Sequence, residues 1–231
     1  MDDNDLLKLA LLIAHVSGFK DYLASETGLG FRLRENDADR DKPFSPFYFD
    51  LRAQENHEPS APLTPEVVQL AGKKLAELVQ RQRLLNRYTY IAGLPRIGDP
   101  FAGAMLNALP SSANMRSLKI VKQPIGKAGK EYRFKLDHQP PPPGTHVLLV
   151  DGLASTNGRK LRAATLLREH GLIVTDYVVL IDRRRTCARK QNANLICHSL
   201  FTVEAMVTIY RKFGIFKNQE VPSNILEYIL S

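Results

Sequence analysis

The spacing of hydrophobic residues separates an N-terminal segment from a longer region in which strands and helices alternate. Residues 4–15 carry leucine and isoleucine on one broad face, which predicts a helix. A second short helix is predicted at 18–25, followed by strands at 31–34 and 46–51. The stretch between these two strands is charged and rich in turn-forming residues, so we expect it to be exposed.

A strong helix start follows at Thr64, because an N-cap residue precedes proline and glutamate. The apolar positions that follow predict a helix to about Arg83. Beyond it, strands and helices are predicted in turn. The strands are 88–93, 118–122, 147–151, 173–182 and 196–201, and the helices are 100–109 and 160–170.

This alternation implies right-handed crossovers and a mainly parallel sheet with helices on both faces. The runs HVLLVD and DYVVLID are continuously apolar, as in strands buried on both sides. We therefore predict an α/β fold with a largely parallel central sheet flanked by helices. Residues 1–60 are expected to form a small N-terminal hood and 61–231 the α/β core. Ligands bind such sheets beyond the carboxyl ends of the strands, which directs attention to the residues after Gly93, Asp151 and Ile181.

The segment from Gln123 to Pro143 interrupts the alternation with glycines, lysines and a run of four prolines. The proline run predicts a stiff, extended connector. The part rich in lysine and glycine is expected to be a hairpin or a mobile loop.

Composition and charge narrow the possible functions. The 231 residues are 44% hydrophobic and 24% charged, as in an ordinary globular protein. The net charge of +8 is compatible with anionic ligands, although the charge alone favours a scattered positive surface. The acidic start MDDND differs from a signal peptide, and the apolar runs are too short to span a bilayer. We therefore expect a cytoplasmic protein that does not insert into membranes.

Cysteine and histidine give no sign of a metal site. Cys187 and Cys197 form no CxxC pair, which argues against a disulfide framework and a zinc site. The six histidines show no HxxxH or HExxH spacing. No metal ligand is therefore assigned to any residue.

The most informative stretch is HVLLVDGLASTNGRKLRAATLLREHG, which predicts a buried strand, a small polar loop and a helix. The free N–H groups at the start of such a helix form a ready anion site. Two cations in the first turn, which the helix dipole disfavours by about 0.3–1 kcal/mol each, would be compensated by a bound anion. The predicted phosphate-binding residues are Gly152, Ser155, Thr156, Asn157, Gly158 and Arg159. An ordinary turn that caps the next helix explains the same pattern, so both interpretations stay open here.

The residues from Val147 to Arg159 resemble the phosphoribosyl pyrophosphate (PRPP) signature of the type I phosphoribosyltransferases. Four further segments are similar, in the expected order, to segments of the orotate phosphoribosyltransferase family. They are SPFYFDLR (45–52), IAGLPRIGDPFAGAM (91–105), VVLIDRRR (178–185) and HSLFT (198–202). From about Phe31 onward, the chain therefore resembles that family.

The resemblance implies an activity and its partners. Members of this family transfer a phosphoribosyl group from PRPP to orotate in pyrimidine biosynthesis, giving orotidine 5′-monophosphate and pyrophosphate. The implied cofactor is Mg²⁺, which accompanies PRPP, and the implied assembly is a homodimer. A type I phosphoribosyltransferase fold is expected with them.

The resemblance also implies roles for particular residues. Phe47 and Tyr48 would lie against the base, and Arg183 would bind the carboxylate of orotate. Arg34 matches a basic residue of the family less closely, and Ser155 matches a loop residue that contacts the base. The implied catalytic residues are Asp151, which orients the ribose, and Lys122 and Lys127, which meet the pyrophosphate.

Several positions depart from the family pattern. The paired acids of the family correspond to Asp151 followed by Gly152, so one carboxylate is missing. Asn157 replaces a glycine, and Arg159 stands where a small residue is usual. The lysine-bearing loop, VKQPIGKAGKEY, lacks the histidine of the family motif.

These departures leave three hypotheses. The chain is a transferase for orotate, a transferase for another base, or a catalytically impaired protein that binds a ligand or regulates a partner. A nucleic-acid partner is not expected, because the basic runs RRRTCARK and QRQRLLNR lack interleaved aromatic residues.

Overall fold

The computed structural model describes residues 3–16, 18–25, 30–31, 44–54, 60–125, 131–155, 158–184 and 194–230. Its helices are α1 (Asp3–His15), α2 (Pro65–Arg81), α3 (Gly98–Ala108), α4 (Gly158–Glu169), α5 (Val203–Lys212) and α6 (Val221–Leu230). Its strands are β1 (Phe19–Asp21), β2 (Phe47–Phe49), β3 (Tyr90–Gly93), β4 (Arg116–Ser117), β5 (Ile120–Ile125), β6 (Glu131–Leu136), β7 (Val147–Ala154), β8 (Asp176–Asp182) and β9 (Ile196–Thr202).

A five-stranded sheet in the order β4-β3-β7-β8-β9 forms the centre of the molecule. Every neighbouring pair in it is parallel. Strands β7 and β8 lie in the middle, and their residues are buried almost throughout, as their continuous apolar sequence predicts. The predicted parallel α/β architecture is confirmed.

Alternate residues of the central strands contribute to two separate cores. Leu148 and Val150 of β7 face the larger core, which also contains the buried faces of α1, α2, α3, α5 and α6. Val147 and Leu149 face the smaller core, which is covered by α4 and the β5–β6 pair. The sheet is therefore covered on both faces, which is the condition for an all-parallel arrangement.

Strands β1 and β2 form a small antiparallel sheet of their own, in which Phe19 lies opposite Phe49. Their rings are 5.2 Å apart, and the Phe19 ring lies 4.9 Å from that of Tyr210 on α5. The division into a hood of 1–60 and a core of 61–231 remains a prediction.

The helix predicted at 18–25 is wrong. The chain instead forms β1 and one 3₁₀ turn, Tyr22–Ala24, which Asp21 caps by accepting from the Leu23 N–H at 3.0 Å. Pairing with β2 and packing among aromatic rings override the local helical pattern, because both bury Phe19.

Two further differences lie downstream. Two strands lie where one was predicted at 118–122. Strand β4 ends just before the predicted range and joins the central sheet, and β5 begins at Ile120 and forms an antiparallel hairpin with β6. The hairpin alternative is therefore confirmed for the described part of this segment, and 126–130 lie outside the described residues. Helices α5 and α6 were not predicted from the sequence, although Thr202 caps α5 by accepting from the Ala205 N–H at 3.3 Å. None of the helices in the described part of the chain combines the length and apolar character that a bilayer crossing requires.

A buried polar cluster lies at the amino end of β8. The Asp176 carboxylate is fully buried and accepts hydrogen bonds from Tyr88, from Thr175 Oγ1 at 2.8 Å, from His198 Nε2 at 2.6 Å and from Arg87 at 3.1 Å. Burial by itself would raise the pKa of Asp176, but the hydrogen bonds from its neighbours outweigh it, so the pKa is lowered. Burial, together with the bond to Asp176, raises the pKa of Tyr88 to about 12.

The Asp176→Asn variant should lose about 3 kcal/mol of unfolding free energy at pH 7, because a hydrogen-bonded buried charge is removed from its partners. Since the folded-state pKa of Asp176 is lowered, its contribution is complete above the unfolded pKa of about 3.9 and is lost as the pH falls towards the folded value. Urea denaturation across pH 3–7 measures both effects.

The control is Asp99→Asn, which breaks a partly exposed ion pair with Lys119 at 2.9 Å. Pairs of this kind contribute about 0–1 kcal/mol. Equal losses in the two variants, or a loss at Asp176 that does not change with pH, would contradict this account of the cluster.

Candidate functional site

The turns that follow β3, β7 and β8 lie side by side at the carboxyl edge of the central sheet. The Leu94 N–H donates to the Val150 carbonyl at 2.8 Å, and the Arg183 N–H donates to the Ala154 carbonyl at 2.8 Å. These two bonds join the turn after β3 to β7 and the turn after β8 to the end of β7. The edge at which a ligand was expected therefore brings three chain segments together.

A buried ion pair between Asp151 and Lys160 occupies the middle of this edge. The Lys160 Nζ lies 2.7 Å from Asp151 Oδ2, and each side chain is only 4% exposed. Lys160 also donates to the Leu153 carbonyl, while Asp151 Oδ1 accepts from the Gly152 N–H at 2.9 Å. The pair forms because β7 continues past Asp151 and α4 then returns its third residue over the strand. Sequence reasoning missed this contact, although a lysine in the first turn of a helix is a visible signal.

Apolar atoms surround Gly152, where the family pattern has its second acid. A side-chain carbon there would lie 2.5 Å from Cγ2 of Ile97, 3.1 Å from Cε2 of Phe101 and 3.2 Å from Cδ1 of Leu51. Glycine therefore allows α3 and the segment after β2 to pack directly on β7. The missing acid is replaced by close packing rather than by an empty space.

Arg159 connects the start of α4 to the turn after β3. Its Nη2 donates to the Pro95 carbonyl at 3.0 Å, and its Nε is buried without an acceptor among the described residues. A buried donor left in this way costs about 1–3 kcal/mol. In the same turn Arg96 has a φ of 79°, a left-handed conformation that is uncommon outside glycine and clusters at functional sites.

Arg183 lies buried beside β2. Its guanidinium carbon is 5.3 Å from the centre of the Phe47 ring, and that ring also makes an edge contact with Tyr228. Phe47 is fully buried, so it packs in the core and supports Arg183 instead of presenting a face to solvent. Tyr48, the next residue, is 37% exposed and lies 5.7 Å from the ring of Phe31. Of the aromatic pair singled out in the sequence, Tyr48 has the accessible ring.

The neighbouring Arg184 binds Asp182 through both oxygens, at 2.9 and 2.8 Å. This bidentate contact holds the turn that directs Arg183 towards Phe47. The two arginines are buried, so this part of the run RRRTCARK is not a solvated basic patch.

The other residues chosen from the sequence are less completely defined. Lys122 lies on β5, with its Nζ 4.6 Å from the centre of the Tyr132 ring. Ser155 follows β7, and Gly158 is exposed at the first position of α4. Four residues lie outside the described part of the chain: Arg34, Lys127, Thr156 and Asn157. The roles assigned to all of these site residues remain predictions.

The acids near this edge do not fit a metal held by the protein. Each has a basic partner: Asp151 with Lys160 at 2.7 Å, Asp182 with Arg184 at 2.8 Å, Asp99 with Lys119 at 2.9 Å and Asp50 with Arg52 at 2.6 Å. Within the described ranges, no three His, Cys, Asp or Glu side chains are grouped to hold an ion. The described residues therefore offer no group of acidic side chains that would hold the Mg²⁺ implied by the resemblance.

Comparison with known proteins confirms the resemblance and the fold. No family model matches the chain. The orotate phosphoribosyltransferase of Pyrococcus abyssi is 26% identical over 175 residues, which cover 75% of this chain and 85% of that protein. The solved structure of Leishmania donovani UMP synthase covers 96% of this chain with a TM-score of 0.66 and 21% identity, and the chain spans 42% of that longer protein. Orotate phosphoribosyltransferase from Mycobacterium tuberculosis, solved in complex with PRPP, covers 87% of this chain and is itself covered to 98%, with a TM-score of 0.55 and 19% identity.

The packing at Gly152 predicts a difference between two glycine substitutions. Gly152→Ala should destabilise the chain by about 1–3 kcal/mol, because the added carbon overpacks the contact with Ile97. Gly158→Ala should change stability by less than about 0.5 kcal/mol, since a carbon there meets no atom within 4 Å. Urea denaturation measures both variants, and equal stabilities would show that Gly152 is not tightly packed.

Proposed function

We propose that this chain, a homologue of the orotate phosphoribosyltransferases, transfers the phosphoribosyl group of PRPP to orotate, giving orotidine 5′-monophosphate and pyrophosphate. The observation that carries the proposal is the position of Arg183 and the start of α4 on adjacent strand ends. Arg183 at the end of β8 thus suits a small carboxylate, and the start of α4 after β7 suits a sugar phosphate. Relatives bearing this activity in their names align with about three quarters of the chain.

The base would lie between Arg183 and Tyr48. Orotate is flat and carries a carboxylate, so it needs a cation with fixed geometry and an aromatic or apolar surface. The contact with Phe47 restrains the guanidinium of Arg183, and the exposed ring of Tyr48 provides a surface from the hood strand. Phe47 would thus support Arg183 rather than contact the base.

The 5′-phosphate would bind at the start of α4. Gly158 is exposed, and the space beside it lets an anion approach the backbone N–H groups closely. The Nε of Arg159, which has no acceptor among the described residues, is a further donor on this side of the edge. The positive end of the helix dipole adds to the attraction.

In the reaction, N1 of orotate forms a bond to the anomeric carbon of PRPP as the bond from that carbon to the pyrophosphate oxygen breaks, and the proton of N1 leaves to water. Positive charge develops on the ribose ring and negative charge on the leaving group. Asp151 would accept from ribose hydroxyls with the lone pairs that its present partners leave free, and Lys122 and Lys127 would neutralise the pyrophosphate. Loss of one such electrostatic group costs on the order of 10²–10³ in rate.

The homodimer and the cytoplasmic location expected from the sequence belong to the same proposal. The basic hairpin β5–β6 would be the segment that supplies lysines to the pyrophosphate side. Lys122 is restrained there by Tyr132, whose ring also lies 5.3 Å from the guanidinium carbon of Arg162 on α4.

The proposal predicts that the purified chain binds PRPP in a calorimeter and consumes orotate only when PRPP is present. Binding of neither ligand would contradict it. Binding of both without formation of orotidine 5′-monophosphate would leave a ligand-binding protein on the same fold.

Arg183→Gln should raise the KM for orotate by at least about ten-fold, because a charge-assisted contact contributes about 1.5–3 kcal/mol. The affinity for PRPP should change little, since the phosphate side lies on the neighbouring strand end. Arg183→Lys keeps the charge and loses the planar fork, so its KM for orotate should lie between those of the wild-type chain and Arg183→Gln. Arg211→Gln, at an exposed position near the end of α5, is the control. An unchanged KM in Arg183→Gln would remove this residue from the base site.

A further inference from the structure

We infer that Lys160 occupies the position beside the Asp151 carboxylate that a divalent cation would otherwise take. This chain then binds its phosphoribosyl ligand without any contact between a metal ion and its own acidic side chains. The inference rests on the proposed function and specifies the form of the ligand that the site accepts. The chain would take free PRPP as readily as its magnesium complex.

The first support is the way in which both Asp151 oxygens are engaged. Oδ1 accepts from the Gly152 N–H at 2.9 Å, and Oδ2 contacts the Lys160 ammonium at 2.7 Å. A metal ion approaching Oδ2 would be placed beside that ammonium, and the two positive charges would repel each other in a buried environment. The lysine therefore occupies the side of the carboxylate on which a cation would bind.

The second support is the loss of the neighbouring acid. The space around Gly152 is filled by Ile97, Phe101 and Leu51, so no carboxylate can be placed there without moving the core. The strand end thus carries one acid and one base, with no net charge. A pair of acids in the same place would need an added cation before a polyanionic ligand could approach, and this pair does not.

The third support is that the lysine is fixed and has bonding capacity left. Its side chain is 4% exposed and lies between Asp151 and the Leu153 carbonyl. An ammonium has three N–H donors, and two of them are directed to these acceptors among the described residues. We assign the third donor to a hydroxyl or phosphate oxygen of the ligand, which is the part that a metal would play.

A second buried lysine provides a matched comparison. Lys74 on α2 is 1% exposed and pairs with Asp5 at 3.1 Å and Glu77 at 2.9 Å. The contact with Asp5 joins α1 to α2, and the contact with Glu77 lies within α2, so neither involves the residues of the candidate site. Replacing Lys74 therefore reproduces the loss of a buried ammonium without touching the candidate site.

The test measures PRPP binding by calorimetry in excess Mg²⁺ and in excess chelator, using the full chain. For the wild-type chain the two dissociation constants should agree within about three-fold, which is less than 1 kcal/mol. In Lys160→Met, binding in chelator should be weaker than binding in Mg²⁺ by at least about ten-fold. Lys74→Met should retain the metal independence of the wild-type chain, even if it is less stable.

Mn²⁺ gives a readout that does not depend on catalysis. In the absence of PRPP, Lys160→Met should add an immobilised component to the electron paramagnetic resonance spectrum of Mn²⁺, because the Asp151 carboxylate is then left without its ammonium partner. The wild-type chain without PRPP should add no such component. If Lys160→Met does not fold, the double variant Asp151→Asn, Lys160→Met removes both charges together and should remain independent of Mg²⁺.

The outcomes separate the inference from the proposed function. Wild-type binding that requires Mg²⁺ overturns the inference and leaves the transferase proposal intact. The inference is also overturned if PRPP binding by Lys160→Met is as independent of Mg²⁺ as binding by the wild-type chain. The lysine would then have no part in metal-independent binding. Absence of PRPP binding under every condition overturns both.

Discussion

The contact between Asp151 and Lys160 joins the second half of β7 to the first turn of α4. Both charges are buried, so separating them would leave one uncompensated, at a cost of about 3–5 kcal/mol. Arg159 reaches the turn after β3, where its Nη2 donates to the Pro95 carbonyl at 3.0 Å, and α4 cannot rotate or withdraw without breaking the contact between Lys160 and Asp151.

The altered position next to Asp151 belongs to the core as much as to the site. Gly152 lets Leu51, which follows the hood strand, and Ile97, which precedes α3, meet on the same strand. The segment that carries Tyr48 is held against the sheet partly by this contact. The glycine is therefore matched by its apolar neighbours, and restoring an acid at this position alone would displace the packing that holds the segment after β2 against β7.

The elements predicted best are those whose sequence pattern and tertiary environment agree. Thr64, Pro65 and the apolar face after them predicted α2, and two continuously apolar runs predicted β7 and β8. The segment around Phe19 was assigned to a helix because its aromatic partners on α5 and in β2 are distant in the sequence. Lys160 was recognised only as a cation at a helix start, since its pairing depends on how far β7 continues beyond Asp151.

The cluster around Asp176 lies at the opposite end of β8 from the candidate site, in a region where the chain makes no contact with the proposed ligand. Strand pairing and this cluster stabilise the sheet at the amino end of β8, while the candidate site lies at the carboxyl end. Because of this division, residues of the turns at the carboxyl ends of the strands, even charged ones, can be substituted during evolution while the amino ends keep the chain folded. A protein arranged in this way can acquire substitutions that change its ligand specificity without first needing a more stable scaffold.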